Sequence, residues 1–193
     1  MELFATHVHT VELKDTETLF DDIIAHVKNE RDTNPNENRH MYSLNGEDSY
    51  HSRDNLVNLD YEWSKMLRSL VYKISSDFAE YEGTPIPKYE DVDINCWCMV
   101  MGRGSFSMSH SHPGAEYSGV FWLQTPENMP GNQGNFVFQD PRMGARYSIH
   151  KPEGTAIKPI PSNGIVFWSW MEHFVQPHYC EGERISVSWN INF

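Results

Sequence analysis

Residues 184–190, Arg-Ile-Ser-Val-Ser-Trp-Asn, decide the fold class of this chain because polar and apolar side chains alternate along them. Successive side chains of a β-strand point to opposite faces, so this run predicts a strand with one polar and one apolar face. The polar face would carry Arg184, Ser186, Ser188 and Asn190. A strand of this kind belongs to a sheet that is buried on its apolar side.

Seven more short β-rich runs precede this strand, and turns rich in Gly, Pro and Asn separate them. The predicted strands are residues 94–101, 105–112, 118–124, 135–139, 155–159, 164–170 and 174–177. Short strands at this spacing predict an all-β sandwich or barrel.

The N-terminal half has a different pattern. Apolar residues recur at helical spacing over residues 16–30 and 60–81, which predicts two amphipathic helices that pack against the outside of a sheet. Residues 3–13 could form a first strand, and the polar residues 31–55 show no period and are expected to form a long loop. The predicted fold is therefore mainly β with N-terminal helices.

Charge and cysteine content exclude several functions. The formal net charge is -12 and no basic run occurs, so nucleic acid is not an expected partner. The three cysteines form no Cys-x-x-Cys motif, which indicates a reducing compartment rather than a disulfide framework. No long apolar run predicts a membrane helix, and the first residues lack the pattern of a signal peptide. We expect a cytoplasmic protein.

Three histidines are candidates for metal ligands. His110 and His112 lie two apart in a predicted strand, so both imidazoles would point to one face, where they could chelate one ion. Met108 would share that face. His173 follows a long apolar run and could complete a mononuclear site from a partner strand. Surface or hydrogen-bonded histidines are the alternative.

Arg184 and Ser186 form a candidate anion site. A buried Arg needs a partner, and a carboxylate ligand would accept two hydrogen bonds from its planar guanidinium, with Ser186 as a second donor. The alternative is an exposed sheet face on which Arg184 pairs with Glu181 or Glu183.

Taken together, these motifs resemble the 2-oxoglutarate- and Fe(II)-dependent oxygenases, in which a first His, a distal His and an Arg-x-Ser follow in this order. A closer likeness is to a family of such oxygenases from bacteria and phages. The motifs that carry it are Trp97, Gly104, His110-Ser-His-Pro-Gly114, Ser118-Gly-Val-Phe-Trp122, Asp140-Pro-Arg142 and residues 184–190. The likeness covers about residues 90–193, and the first half matches only loosely.

The resemblance implies a double-stranded β-helix, a jelly-roll or cupin-like barrel, flanked by the two helices. Residues 1–193 would form one oxygenase domain, with a helical flank and loop at 1–90 and the metal-binding core at 91–193. The cofactors implied are Fe(II), 2-oxoglutarate as cosubstrate and molecular oxygen. The reaction implied is hydroxylation of a substrate C–H bond, with release of succinate and carbon dioxide.

One position departs from the family pattern, because the usual carboxylate ligand two residues after the first His is here His112. His112 could bind the metal directly, or it could stand outside the coordination sphere and leave one position to water. A carboxylate from elsewhere, Glu116 or Asp140, could also complete the triad.

Two rival functions remain open. Gly104, His110, His112 and Glu116 also resemble the first motif of the cupins, in which Glu116 would bind the metal and no 2-oxoglutarate would take part. Such a protein would be another metal enzyme or a sensor. A non-catalytic β-sandwich module is the third class. The expected partners are a small-molecule or peptidyl substrate and, at most, a second copy of the chain.

Overall fold

The structure is a computed structural model that describes residues 5–33, 49–142, 144 and 154–193. Two α-helices lie in the N-terminal half, α1 (Glu17–Thr33) and α2 (Glu62–Glu82), with a short 3-10 helix (Leu56–Asn58) before α2. The first five strands are β1 (Val8–Glu12), β2 (Ser49–His51), β3 (Asp93–Met101), β4 (Ser107–His110) and β5 (Tyr117–Gln124). The others are β6 (Phe136–Gln139), β7 (Gly154–Ile157), β8 (Asn163–Trp168), β9 (His173–Val175) and β10 (Arg184–Asn192).

The strands form two antiparallel sheets. The larger sheet has six strands in the order β1-β8-β5-β10-β3-β2, and the smaller has four in the order β4-β9-β6-β7. β10 lies at the centre of the larger sheet, where it pairs with β3 on one side and β5 on the other. Side chains from the two sheets meet in the space between them, which we call the cup.

The two predicted helices are confirmed, with bounds that differ by a few residues. The apolar stripe of α2 includes Leu67, Val71 and Phe78, all fully buried. α2 ends at Gly83, whose left-handed backbone (φ 72°) lets its N–H bond the carbonyls of the last turn. The helix ends there because a residue without Cβ adopts this conformation at little cost.

The helices pack against the outer face of the larger sheet. The apolar side chains of β10 lie in one core cluster with the helix stripes. Trp189 is fully buried in it, and its indole N–H donates to Ser75 Oγ of α2 at 2.9 Å. Opposite Trp189 stands Gly119 of β5, where a Cβ would overlap the indole ring. Glycine at this position is therefore a packing requirement.

The polar face of β10 points into the cup, as the alternation predicts. Its four polar residues line the cavity there, whereas Ile185, Val187 and Trp189 belong to the helix-side core. A second core cluster closes the cup between the sheets and consists mostly of aromatic and β-branched residues: Val120, Trp122, Phe136, Phe138, Ile165, Phe167 and Met171.

The predicted strands all have counterparts, but three local expectations were incomplete. The strand predicted at 105–112 is shorter, because pairing in β4 ends at His110. The expected strand at 3–13 is confirmed only over Val8–Glu12, and residues 1–4 lie outside the described residues. The expected loop at 31–55 contains the end of α1 and strand β2, and its residues 34–48 lie outside the described residues.

Within the described ranges, neither helix combines the length and the apolar character that crossing a bilayer requires.

Candidate active site

The structure brings the three histidines of the sequence motifs together. His110, at the end of β4, lies directly opposite His173, the first residue of β9. His112 follows two residues later, outside the strand. The ligand nitrogens of the three residues all lie within 4.8 Å of one another, and this is the group within the described residues that could hold a metal ion.

Backbone hydrogen bonds orient two of the three imidazoles. Nδ1 of His110 lies 2.8 Å from the Met108 carbonyl oxygen, and Nδ1 of His173 lies 2.8 Å from the Met171 carbonyl oxygen. A carbonyl can only accept, so each Nδ1 carries the proton and each Nε2 carries the lone pair. This is how metal-binding histidines are usually fixed in tautomer and direction.

The third imidazole is held differently. Among the described residues, the His112 ring makes ring contacts only, to His110, His173 and Trp97, the last at 5.6 Å between centroids. Its backbone N–H donates to the Ser169 carbonyl at 3.0 Å. The position of His112 is therefore fixed by its backbone and by packing.

Burial keeps the cluster uncharged. Desolvation, together with neighbouring His110, lowers the pKa of His173 to about 3 and that of His112 to about 4. Desolvation also lowers the pKa of His110. All three imidazoles are thus neutral at pH 7, the state in which a histidine can donate its lone pair to a metal.

Neither of the alternative carboxylates joins the cluster. Glu116 is absent from the cavity lining, and its backbone pairs with Ile191 and Ser169. Asp140 forms a two-point ion pair with Arg142, at 2.9 and 2.7 Å. In the described part of the chain, the potential ligands that meet here are therefore all imidazoles.

Arg184 is a buried cation without an ionic partner in the described residues. It is 1% exposed, and it donates to the Gly134 carbonyl and to Ser186 Oγ, each at 3.1 Å. Its second terminal nitrogen has no hydrogen-bond partner. Desolvation lowers the pKa of the guanidinium to about 10, so it is charged at pH 7. The expected alternative pairing with Glu183 does not occur, because Glu183 pairs with Lys28 and Arg31.

The histidines and Arg184 face one cavity of about 340 Å³ inside the cup. Ser186 also lines it, and apolar side chains such as Val120, Phe136 and Phe167 form part of its wall. A cavity of this size with a few converging polar groups is typical of small-molecule sites.

The cavity also contains residues that were not singled out as site residues. His51 of β2 stacks on Trp97 of β3, with ring centroids 5.7 Å apart, and both line the cavity together with Asp54 and Asn95. The alternation of β3, in which Asn95 and Trp97 share a face, is a signal that could have found two of them.

The placement of Met108 was wrong. It is 44% exposed and does not line the cavity, whereas Ser107 does. The pairing of β4 with β9 shifts register between Ser107 and His110, and this irregularity breaks the alternation of side chains.

Comparisons with known proteins agree with this geometry. Residues 95–190 match the model of the family described as "Putative 2OG-Fe(II) oxygenase". A comparison with curated proteins gives no match.

Several solved structures share the fold. A prolyl-4-hydroxylase from Pseudomonas putida is 12% identical, with 97% of this chain and 93% of that chain covered and a TM-score of 0.69. A prolyl hydroxylase from Trichoplax adhaerens, in complex with a hypoxia inducible factor peptide fragment, is 14% identical, with coverages of 97% and 84% and a TM-score of 0.66. HygX from Streptomyces hygroscopicus, with nickel, 2-oxoglutarate and hygromycin B bound, is 7% identical, with coverages of 97% and 83% and a TM-score of 0.62.

The shared fold is the double-stranded β-helix, which the two sheets around the cup form here. Fe(II), 2-oxoglutarate and molecular oxygen are the cofactors of the matched family. By its family match, its fold and the histidine cluster inside the cup, the chain belongs to the 2-oxoglutarate- and Fe(II)-dependent oxygenases.

Proposed function

We propose that His110, His112 and His173 hold the Fe(II) of this oxygenase, and that Arg184 and Ser186 bind the distal carboxylate of 2-oxoglutarate. The observation that carries this assignment is the buried Arg184, which lines the same cavity as the three histidines and has an unpartnered N–H group. A buried guanidinium without a counter-ion is costly, and a carboxylate ligand would remove that cost.

The residues fit the metal. Neutral imidazoles are good ligands for Fe(II), and three of them leave coordination positions for other groups. When bound, Fe(II) supplies the redox chemistry that couples oxidative decarboxylation of 2-oxoglutarate by oxygen to hydroxylation of a C–H bond. The products of that reaction are succinate, carbon dioxide and the hydroxylated substrate.

Arg184 and Ser186 would orient the cosubstrate together. The guanidinium offers a planar pair of donors that matches a carboxylate. Ser186 Oγ accepts a hydrogen bond from Arg184, so its own hydroxyl proton remains to donate to the same carboxylate. Fixing the distal end in this way would direct the keto-acid end toward the histidines.

The apolar wall would keep water from the reacting atoms. Phe136 stacks on the His173 ring with centroids 4.8 Å apart and an interplanar angle of 16°. Phe167 lies 5.1 Å from the same ring. Excluding water protects a reactive centre from side reactions and strengthens the electrostatic interactions beside it.

We also propose that the substrate is a small molecule or a peptidyl side chain, as it is for the structural neighbours, and that residues 1–193 act as one domain. The three cysteines are free, and the buried pair Cys96 and Cys98 has raised pKa values, chiefly through desolvation. Free thiols suit a reducing compartment, so we propose that the enzyme acts in the cytoplasm.

Succinate formation tests the proposed function. The purified protein with Fe(II), ascorbate, oxygen and 2-oxoglutarate should form succinate, and omission of Fe(II) should stop it. His173→Ala should lose both metal binding and succinate formation. His178→Ala is the matched control, because His178 is equally buried but lies outside the cluster. Equal loss in both variants, or no Fe(II)-dependent succinate from the wild type, would refute the assignment.

A further inference from the structure

The polar residues of the cup are arranged in rows across the larger sheet. Arg184 pairs with Met101, Ser186 with Met99, Ser188 with Trp97 and Asn190 with Asn95. All eight residues line the cavity. The rows therefore run from a cationic end at Arg184 to a carboxamide end at Asn190, about 20 Å away along the strand.

The metal cluster lies next to the Trp97 row, because the His112 ring packs on the Trp97 ring. In the proposed function, the cosubstrate occupies the cationic end of the cavity. The carboxamide row is the next row beyond Trp97, so it is adjacent to the histidines and on the side away from Arg184. A group bound there would lie close to the reacting atoms without displacing the cosubstrate.

Two carboxamides at this end are available to a ligand. Asn190 and Asn95 stand side by side across β10 and β3. Ser118 Oγ donates to Asn190 Oδ1 at 2.7 Å, so that oxygen is occupied and the amide N–H groups are left to the cavity. Within the described residues, the Asn95 side chain has no hydrogen-bond partner, so it offers both a donor and an acceptor.

The charges around this row disfavour an anion. Of the residues that line the described cavity, Arg184 is the one Lys or Arg, and it lies at the opposite end. Asp54 belongs to the lining, and its backbone carbonyl accepts from the N–H of Cys96, next to Asn95. A neutral group with both a donor and an acceptor is therefore the best match.

Resting on the proposed function, we propose that Asn95 and Asn190 form a substrate subsite that binds a neutral amide group. A primary amide can pair with one carboxamide through two hydrogen bonds, whereas a trans peptide group has its N–H and C=O on opposite edges and bonds a carboxamide through one of them. The source of the group is either a peptide backbone or the primary carboxamide of a small molecule. This subsite identifies the class of substrate that the oxygenase accepts.

Ligand-observed NMR with matched probes tests this subsite. The protein is loaded with Zn(II) and 2-oxoglutarate, which gives a diamagnetic complex that does not react with oxygen. Saturation-transfer titrations then compare propionamide, which has a single amide group, with propionate, which has a carboxylate in its place. The amide should bind at least about fivefold more tightly, the effect of one well-formed hydrogen bond. Equal binding of the two probes overturns the proposal.

Asn190→Asp removes the donor with little change in shape. Aspartate keeps the oxygen that accepts from Ser118 but loses the N–H groups that face the cavity. Amide binding should weaken about fivefold or more, whereas Asn192→Asp, on the same strand but outside the cavity lining, should leave it unchanged. Asn95→Asp is the second variant, and it decides the outcome if Asn190→Asp does not fold. Unchanged amide binding in the folded variants overturns the proposal.

Further measurements distinguish a peptide from a small carboxamide as the source of the amide, and test the subsite separately from the proposed function. Tighter binding of a blocked alanine tripeptide than of propionamide assigns the subsite to a peptide backbone, and equal binding assigns it to a small carboxamide. Mn(II) in place of Zn(II) should broaden the probe signals, because the subsite adjoins the metal cluster. A protein that binds neither metal nor 2-oxoglutarate but still loses amide binding in the Asn variants contradicts the proposed function and supports the subsite.

Discussion

Replacing Arg184 by methionine should leave the metal-free protein about as stable as the wild type while it weakens the binding of 2-oxoglutarate at least about tenfold. The guanidinium is buried without a carboxylate partner in the described residues, and desolvation lowers its pKa to about 10. At about 1.36 kcal/mol per pKa unit, this lowering corresponds to a free-energy cost of about 3 kcal/mol for the charged form. The side chain is protonated at every pH below about 10, so the folded protein bears that cost at pH 7.

The contacts of the guanidinium offset this cost. It donates to the Gly134 carbonyl and to Ser186 Oγ, and a hydrogen bond from a charged donor contributes about 1.5–3 kcal/mol. At the lower end of that range the two bonds together contribute about 3 kcal/mol, so the net change for Arg184→Met is close to zero, since apolar replacement of buried charges is often neutral. For a protein of this size, the midpoint of thermal unfolding should therefore shift by no more than about 2–4 °C.

The affinity for 2-oxoglutarate should fall at the same time. A charge-assisted hydrogen bond contributes about 1.5–3 kcal/mol, so the dissociation constant should rise about 10- to 150-fold. Isothermal titration of the Zn(II)-loaded protein measures this change, and calorimetry of the metal-free protein measures stability. Arg184→Lys should recover part of the affinity, because it keeps the charge but not the planar donor pair.

Two results would contradict this expectation. Loss of several kcal/mol of stability in Arg184→Met would mean that the guanidinium stabilises the fold and is not a binding group for an anionic ligand. Unchanged 2-oxoglutarate affinity would remove Arg184 from cosubstrate binding. Arg142→Met is the control, because Arg142 is exposed and already paired with Asp140. This variant should not show the loss of 2-oxoglutarate affinity that is expected for Arg184→Met.

Glu116→Gln should leave metal affinity unchanged in a Mn(II) titration, whereas a strong loss would restore the cupin-like site. The metal-free protein should lose stability as pH falls below about 6.5, because the lowered pKa values of His173 and His112 let the unfolded chain bind more protons. The loss should be at most about 1.4 kcal/mol per histidine per pH unit, and less for the half-buried His112; urea unfolding at pH 7 and pH 5 measures it. Gly119→Ala should destabilise the fold by about 3 kcal/mol in the same assay, because its Cβ overlaps Trp189; an unaffected urea midpoint would contradict this packing.

The sequence predicted β10 to within two residues, because its alternation is regular, although the strand extends to Asn192. The polar residues face the cup and the apolar residues face the helices, as the pattern requires. The two helices were equally predictable, since each repeats its apolar residues over several turns. A regularly paired strand or a regularly packed helix buries side chains at a fixed spacing, and this spacing is visible in the sequence.

The sequence did not predict features that depend on tertiary pairing. Strand β2 has three residues and no period of its own, and it exists because it pairs with β3. His51 reaches the cavity through that pairing. The register shift in β4 likewise depends on β9, so the alternation that placed Met108 beside His110 failed. In each case a partner strand fixes what the local sequence leaves open.

The replacement of a carboxylate by His112 changes the charge of the site. The three imidazoles are neutral at pH 7, so the described ligand cluster contributes no negative charge of its own. A site with one carboxylate would carry one negative charge at the same place. The wild-type site should therefore attract the anionic keto-acid end of 2-oxoglutarate more strongly than a carboxylate-containing site would.

His112→Asp tests this consequence. If His112 binds the metal, the variant should keep measurable Mn(II) affinity, because Asp is itself a ligand, whereas His112→Ala should lose much more. The new carboxylate would bear the same charge as the keto-acid end beside it, and two like charges about 4 Å apart repel by about 1 kcal/mol in water and about 4 kcal/mol at a protein surface. The Mn(II)-loaded variant should therefore bind 2-oxoglutarate at least about fivefold more weakly than the wild type, and the difference should shrink at high salt. Wild-type behaviour of both variants in both titrations would place His112 outside the coordination sphere, and its neutral charge would then not affect the binding of 2-oxoglutarate.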